Sequence, residues 1–470
     1  MSDNPTVRVG FVPSKRFPFS TEWALAMRER ALGALAKIPG LEVVAPGPET
    51  TPNGLVENDE HATSTIALFH ERQVEGLIIG ALDFADEISA ATVAAALGKP
   101  VLLFGTKEGP LRANGERISD SFCGTLSISS ALHRRKMPFI FAGILFPEDD
   151  KFTEEVNTFT RACAAVKAFR GARIGQVGVR PERFETVVCD ETAMLQRFGQ
   201  KVVPCELADI IAASQAMSDE DARVLATVEK IKAEATVVSV GRDYLFKAAK
   251  LELALIDFYR ARQLSALAVQ CWPSLRPQLG IMPCGVFGRM TDQGVMTACE
   301  VDVLGALDML TQHHLALGQT VPHFIDWTVQ HRSKPNMFLA WHCGNAPASL
   351  RAENTSVILR NRWRALDEPI PEEDSGAGAR EFTLRPGVVT LSRLVEFDGK
   401  FKMLITNGEI VEDQDKERGS SAWVRVADLE KLYGTLVAGG FIHHASMIHG
   451  DLGKPLAQFC QYMGIDTVVV

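Results

Sequence analysis

The sequence predicts an α/β protein: two doubly wound parallel-sheet domains followed by a β-rich C-terminal domain. Three observations carry this reading. Strand and helix patterns alternate through the first third, the alternation restarts near residue 172, and from about residue 321 strand-like runs outnumber helices. The expected division is 1–168, 169–320 and 321–470, and a chain of 470 residues has room for two or three domains.

Residues 7–12 (Val-Arg-Val-Gly-Phe-Val) form an apolar run that reads as a buried strand, and 22–37 carry the spacing of an amphipathic helix. A second strand is expected at 41–45, a helix at 61–73, and further strands at 76–80 and 100–105 with an alanine-rich helix between them. Such alternation implies parallel strands with helices on both faces and ligands at the carboxyl ends of the strands. The second unit begins with a strand at 172–179, then helices at 191–198, 206–216 and 219–235 and a strand at 236–240. Gly171, Gly175 and Gly178 lie within a strand pattern rather than after it, so they suit close packing and not a dinucleotide loop. In the last third, strands are expected at 338–341, 357–360, 388–395, 401–406 and 422–426. An acidic, proline- and glycine-bearing loop is expected at 366–378, a helix at 455–463 and a final strand.

Composition excludes several classes. With 46% hydrophobic and 23% charged residues the chain reads as soluble and globular, and its net charge of -9 argues against nucleic acid. The basic run His133-Arg134-Arg135-Lys136 is too short to be an electrostatic footprint. Nine cysteines without a Cys-x-x-Cys pair indicate reduced thiols. The N-terminus lacks the features of a signal peptide, and no uncharged apolar run approaches the roughly 20 residues of a membrane helix. A cytoplasmic location is expected.

Four potential metal ligands punctuate the last third: Glu300, Asp326, His342 and one histidine of a His-rich segment, His443-His444 to His449. Two carboxylates with two imidazoles suit Mn²⁺, Mg²⁺, Co²⁺ or Zn²⁺ and an oxygen-rich substrate. Each residue has a structural alternative. Glu300 precedes an amphipathic helix, where acidic residues are common, but Asp302 fits the cap role better and leaves Glu300 free. Asp326 closes a short apolar strand, where an unpaired carboxylate must reach solvent or meet a cation. His342 closes a second strand in the same way, with Gly344 and Asn345 supplying the turn. His443 and His444 alternate in direction if extended, so only one of them can face a site. His313 and His314 suit a helix C-terminus, and Cys299 and Cys343 read as packing residues.

In order and spacing, the run from Cys299 through Leu307, then Asp326, His342 and a His-His pair before Gly450-Asp451, resembles the L-fucose/L-arabinose isomerase superfamily. The segments 178–185, Asp190-Glu191 and 130–134 are also similar to that family. The resemblance implies a three-domain fold and Mn²⁺-dependent aldose–ketose isomerisation at sites shared between subunits of a homotrimer or homohexamer. It makes Glu300, Asp326, His342 and His444 the metal ligands, with Glu300 and Asp326 also catalytic. It makes His133 a substrate contact from a neighbouring subunit, and Arg134, Trp341, Asn345 and His449 join the expected substrate-binding set. Asp326 resembles the fucose branch, whereas His342 and the chain length resemble the arabinose branch. The His133-Arg134-Arg135 run departs from both and suits an anionic sugar.

The chemistry expected is proton transfer between C1 and C2 of an open-chain sugar through a cis-enediol, one carboxylate taking the proton and the other returning it. Two rivals use the same residues: a metal-dependent lyase, decarboxylase or hydrolase, and a sugar-binding protein without turnover.

Overall fold

The computed structural model describes residues 6–361, 378–415 and 417–470. It comprises two compact units, one of Met1–Lys167 with Gln458–Gly464 and one of Ala168–Ala457 with Ile465–Val470.

In the first unit, β1 (Val7–Ser14), β2 (Leu41–Val44), β3 (Gly76–Ala81), β4 (Val101–Thr106) and β5 (Phe139–Leu145) form a sheet ordered β2-β1-β3-β4-β5. Every neighbouring pair is parallel. The central strands β3 and β4 are buried along their whole length, which is why they read as unbroken apolar runs. Helices Thr21–Leu35, Asp59–Glu71 and Glu87–Leu97 start where Ser20, Asn58 and Asp86 accept the backbone N–H groups of Trp23, His61 and Ser89. Their inner faces close over a core that includes Val12, Phe69, Ile79 and Leu103. Helix Ser121–Arg134 lies so close to this core that a Cβ on Gly124 would sit 1.5 Å from the Phe84 carbonyl oxygen.

The second unit holds two sheets. Strands β6 (Arg173–Val177), β7 (Lys201–Cys205), β8 (Val237–Ser239), β9 (Ala266–Val269) and β10 (Thr297–Cys299) come first. Four of them make a parallel sheet ordered β10-β9-β6-β7. A Cβ on Gly175 would lie 2.6 Å from Leu267 of β9 and 3.1 Å from Phe258 of helix Arg242–Ala261, so this glycine serves strand–helix packing. The segment expected at 236–240 as part of this α/β unit does form a strand, β8. It pairs elsewhere, because its neighbour is the later strand at Ile358 and not any strand of the parallel sheet.

The remaining strands are β11 (His323–Gln330), β12 (Met337–His342), β13 (Ile358–Asn361), β14 (Gly378–Thr383), β15 (Gly387–Phe397), β16 (Lys400–Val411), β17 (Ser420–Val426), β18 (His444–His449) and β19 (Asp466–Val469). The ring β16-β15-β18-β11-β12-β17 closes through an additional β16–β17 pairing, giving an antiparallel barrel. Closure satisfies both edges of every strand in the ring. Its core contains Ile325, Phe338, Ala340, Leu391, Leu404, Val424, Ala445 and Met447. The architecture is therefore α/β with a β-rich C-terminal part, as the pattern predicts. The acidic loop expected at 366–378 lies outside the described residues except for Gly378, which opens β14.

Candidate metal centre

The site is assembled where the carboxyl ends of the second parallel sheet meet the barrel, within one compact unit. Glu300 directly follows β10, and Trp272 follows β9 by three residues. Asp326, His342 and His444 come from β11, β12 and β18, which are neighbours in the barrel, and Asp326 stands opposite His444 in the register.

His444 is the hub. Its Nε2 lies 2.7 Å from Glu300 Oε2 and 3.8 Å from Asp326 Oδ1. On the other side, Nδ1 lies 2.8 Å from Asp302 Oδ2. Ligating atoms of Glu300, His342 and His444 lie within 4.8 Å of one another, and so do those of Asp326, His443 and His444. Trp272 Nε1 donates to Glu300 Oε1 at 2.6 Å, which fixes the second oxygen of that carboxylate. Phe184 packs its ring against both His443 and His444.

The backbone is strained at this point. Glu300 and Val301 both adopt left-handed conformations, with φ of 60 and 61. For a β-branched valine this is a genuine outlier, stored where the surroundings over-determine the chain.

Electrostatics follow from the geometry. Burial works against charge on His444, but its bonds to Asp302 and Glu300 outweigh that and push its pKa up to about 9. Burial likewise opposes charge on His342, yet Asp326 and Glu300 hold it above the ordinary value. Burial would raise Glu300, but His444 beside it keeps the carboxylate below its usual range, so it is ionised at neutral pH. Asp302 is fully buried and depressed far below a normal carboxylate, because Arg393 and His444 offset its desolvation. Asp302 also accepts the Gly305 N–H at 2.8 Å and so caps helix Val303–Leu315, as the sequence suggests.

The donor set fits a hard to borderline divalent ion. Asp326 Oδ1 is buried with no hydrogen-bond partner among the described residues, an arrangement that a cation beside Glu300 and the two imidazoles would satisfy. Four thiols lie close by. Cys271, Cys299 and Cys343 adjoin Trp272, Glu300 and His342, and Cys284 bonds to Cys299 and Cys343. Burial pushes the Cys299 thiol well above its ordinary value, and the bond from Cys284 does the same for Cys343, so both stay protonated.

The other residues expected from sequence are distributed as follows. Trp341 is half-buried beside His342 and donates from Nε1 to the Arg418 carbonyl at 2.6 Å. Asn345 is buried, with Oδ1 3.0 Å from His323 Nε2. His449 ends β18, roughly 16 Å along the strand from His444 at about 3.3 Å per residue. Its Nε2 meets the Arg385 carbonyl. His443 is exposed and His444 fully buried, so only the second is enclosed by the site. His133 and Arg134 occupy the last turn of helix Ser121–Arg134 in the first unit, and both are exposed. Sequence reasoning missed Trp272, Phe184, Arg393 and the second role of Asp302. Phe184 at least lies in the 178–185 segment that resembles the isomerases.

Comparison with known proteins bears on the family of the chain. Residues 10–170 match the family described as fucose/sulfoquinovose isomerase, N-terminal domain, and residues 340–470 match L-fucose isomerase, C-terminal domain. Sulfoquinovose isomerase of Alkalicoccus urumqiensis is 26% identical over 402 residues, covering 84% of this chain and 86% of that protein. Sulfoquinovose isomerase of Priestia aryabhattai is 24% identical over 467 residues, 98% of each chain. That of Clostridium sp. (strain MSTE9) is 25% identical over 402 residues, 84% of this chain and 86% of its own.

Proposed function

Because this chain belongs to the fucose isomerase-like family and is a sugar aldose–ketose isomerase, we propose that it moves a proton between C1 and C2 of an anionic sugar through a cis-enediol. Glu300, Asp326, His342 and His444 would hold the divalent ion, Mn²⁺ or a similar one. The observation that supports this reading is the convergence of three of these groups on His444, with Asp326 Oδ1 buried and unpartnered among the described residues.

A divalent ion held by these residues would supply Lewis-acid polarisation of the oxygens of an open-chain sugar. Glu300, ionised and steadied by the Trp272 N–H, takes the proton from C2 of the aldose, and the C–H electron pair becomes the C1–C2 double bond. The C1=O1 π pair moves onto O1, which takes the proton of O2. The proton held by Glu300 is passed to Asp326 and from it to C1, as the C1–C2 π pair closes on C1 and C2=O2 forms, completing the ketose. Trp341, half-buried beside His342, offers an apolar face to the substrate.

Substrate class is proposed from the relatives, which are named for sulfoquinovose, together with the exposed Arg134 and Arg135 at the end of helix Ser121–Arg134. Guanidinium groups suit a planar or tetrahedral anion. We propose further that copies associate as a trimer or hexamer, so that His133 and Arg134 of one copy reach substrate held by another. The three-part division at 168 and 320 is kept within this proposal. Among the described residues no helix is long and apolar enough to cross a membrane, and no cysteine is joined in a disulfide. A cytoplasmic location, where thiols stay reduced, is part of this proposal.

The test is turnover by chelator-stripped protein resupplied with Mn²⁺ and offered sulfoquinovose, L-fucose or L-arabinose. Conversion of sulfoquinovose to a product of equal mass is expected, and Arg134→Ala and Arg135→Ala should weaken it. A product of lower mass would overturn the isomerase reading. Conversion of the neutral sugars alone would overturn the substrate class.

A further inference from the structure

Arg393, from β15, is 1% exposed and sends two nitrogens to Asp302, which is 0% exposed. Asp302 in turn holds His444 Nδ1 at 2.8 Å, while His444 Nε2 faces Glu300 and Asp326. Three charged or chargeable side chains therefore form a line from the barrel interior to the proposed ion.

The cap role of Asp302 does not account for this. Capping uses the Gly305 N–H, and an asparagine would serve it equally well. Nor does stability account for it, because well-packed apolar residues commonly replace a buried ion pair without loss. The side of Asp302 that faces His444 accepts the Nδ1–H hydrogen bond, so that the Nε2 position, turned toward Glu300 and Asp326, is the one that must shed its proton to meet an ion. Ser392, next to Arg393, donates to Asp308 Oδ1 at 2.6 Å and accepts from Gln312 Nε2 at 2.8 Å, which anchors that part of β15 to helix Val303–Leu315.

We infer that Asp302 and Arg393 are positioning residues that fix the tautomer and ring orientation of His444 for the divalent ion. This rests on the reading of the cluster as a metal centre. Partners of this kind typically contribute about 10–100-fold to metal affinity.

The experiment is calorimetric titration of metal-free protein with Mn²⁺ alone, with the melting temperature of the metal-free protein measured in parallel. The double variant Asp302→Asn with Arg393→Met keeps the cap and removes both charges together. It is expected to melt within a few degrees of the parent and to bind Mn²⁺ about 10–100-fold more weakly. Parent-like affinity in the folded double variant would overturn the inference. Should it fail to fold, Arg393→Lys decides: a several-fold loss of Mn²⁺ affinity supports the positioning role, and unchanged affinity overturns it. If the parent itself does not bind Mn²⁺, the metal-centre reading fails, which is a separate result.

Discussion

In the proposed metal centre an ion would compete with a proton on His444, and the competition has a calculable size. Without an ion the imidazole is enclosed by Asp302 and Glu300, which push its pKa up to about 9. A metal needs the neutral ring, so binding must expel that proton. The fraction of neutral ring lowers apparent affinity by about 100-fold at pH 7 and about 10-fold at pH 8, and the penalty vanishes above the pKa. The sign is fixed: affinity rises as pH rises, because the protonated state excludes the ion. Glu300 adds no such penalty, since its carboxylate is already ionised across this range. His342, also raised, adds a part of a second proton. Mn²⁺ titrated calorimetrically between pH 6.5 and 8.5, in buffers of different ionisation enthalpy, should show about a 100-fold gain in affinity. At least one proton should be released per ion at the lower pH. A flat affinity, or binding without proton release, would refute the placement of His444 in the coordination sphere.

Two further outcomes follow from the same coordinates. Glu300→Gln keeps the shape and the Trp272 contact but cannot take a proton, so turnover should fall by about 10²–10⁴-fold with the melting temperature nearly unchanged. A variant retaining more than a tenth of the activity would remove Glu300 from the proton transfer. Gly124→Ala places a methyl 1.5 Å from a backbone oxygen that no rotamer change can clear, and should destabilise the protein by about 3 kcal/mol in urea unfolding. A change below about 0.5 kcal/mol would show that the helix shifts freely on its sheet.

The parallel sheets were legible because their strands are apolar throughout and are separated by helices with recognisable caps at Ser20, Asn58 and Asp86. β18 was not. Its His444, Ser446 and His449 lie between glycines and supply no apolar alternation to mark a strand, yet each finds a buried or half-buried partner, as Ser446 does in Gln312. Tertiary hydrogen bonds thus turned a polar segment into a barrel strand. β8 was legible as a strand but not by its partner, because pairing with β13 depends on a segment more than a hundred residues away. The ligand candidates stood out by residue type, since Glu300, Asp326 and His342 interrupt apolar runs. Arg393 carried no such mark: its role comes from Asp302, 91 residues away in sequence, and only the folded barrel joins them.

That separation bears on how the protein is made. Glu300 and His444 touch across 144 residues, so the pocket is a product of the last stages of folding. During synthesis the parallel sheet can form while the barrel is still unwritten, and at that moment the chain has its first carboxylate and neither imidazole. An ion that needs both is thereby an inspector of the finished product. It would add its binding energy only to molecules whose barrel has closed, and a chain released early would leave it in solution.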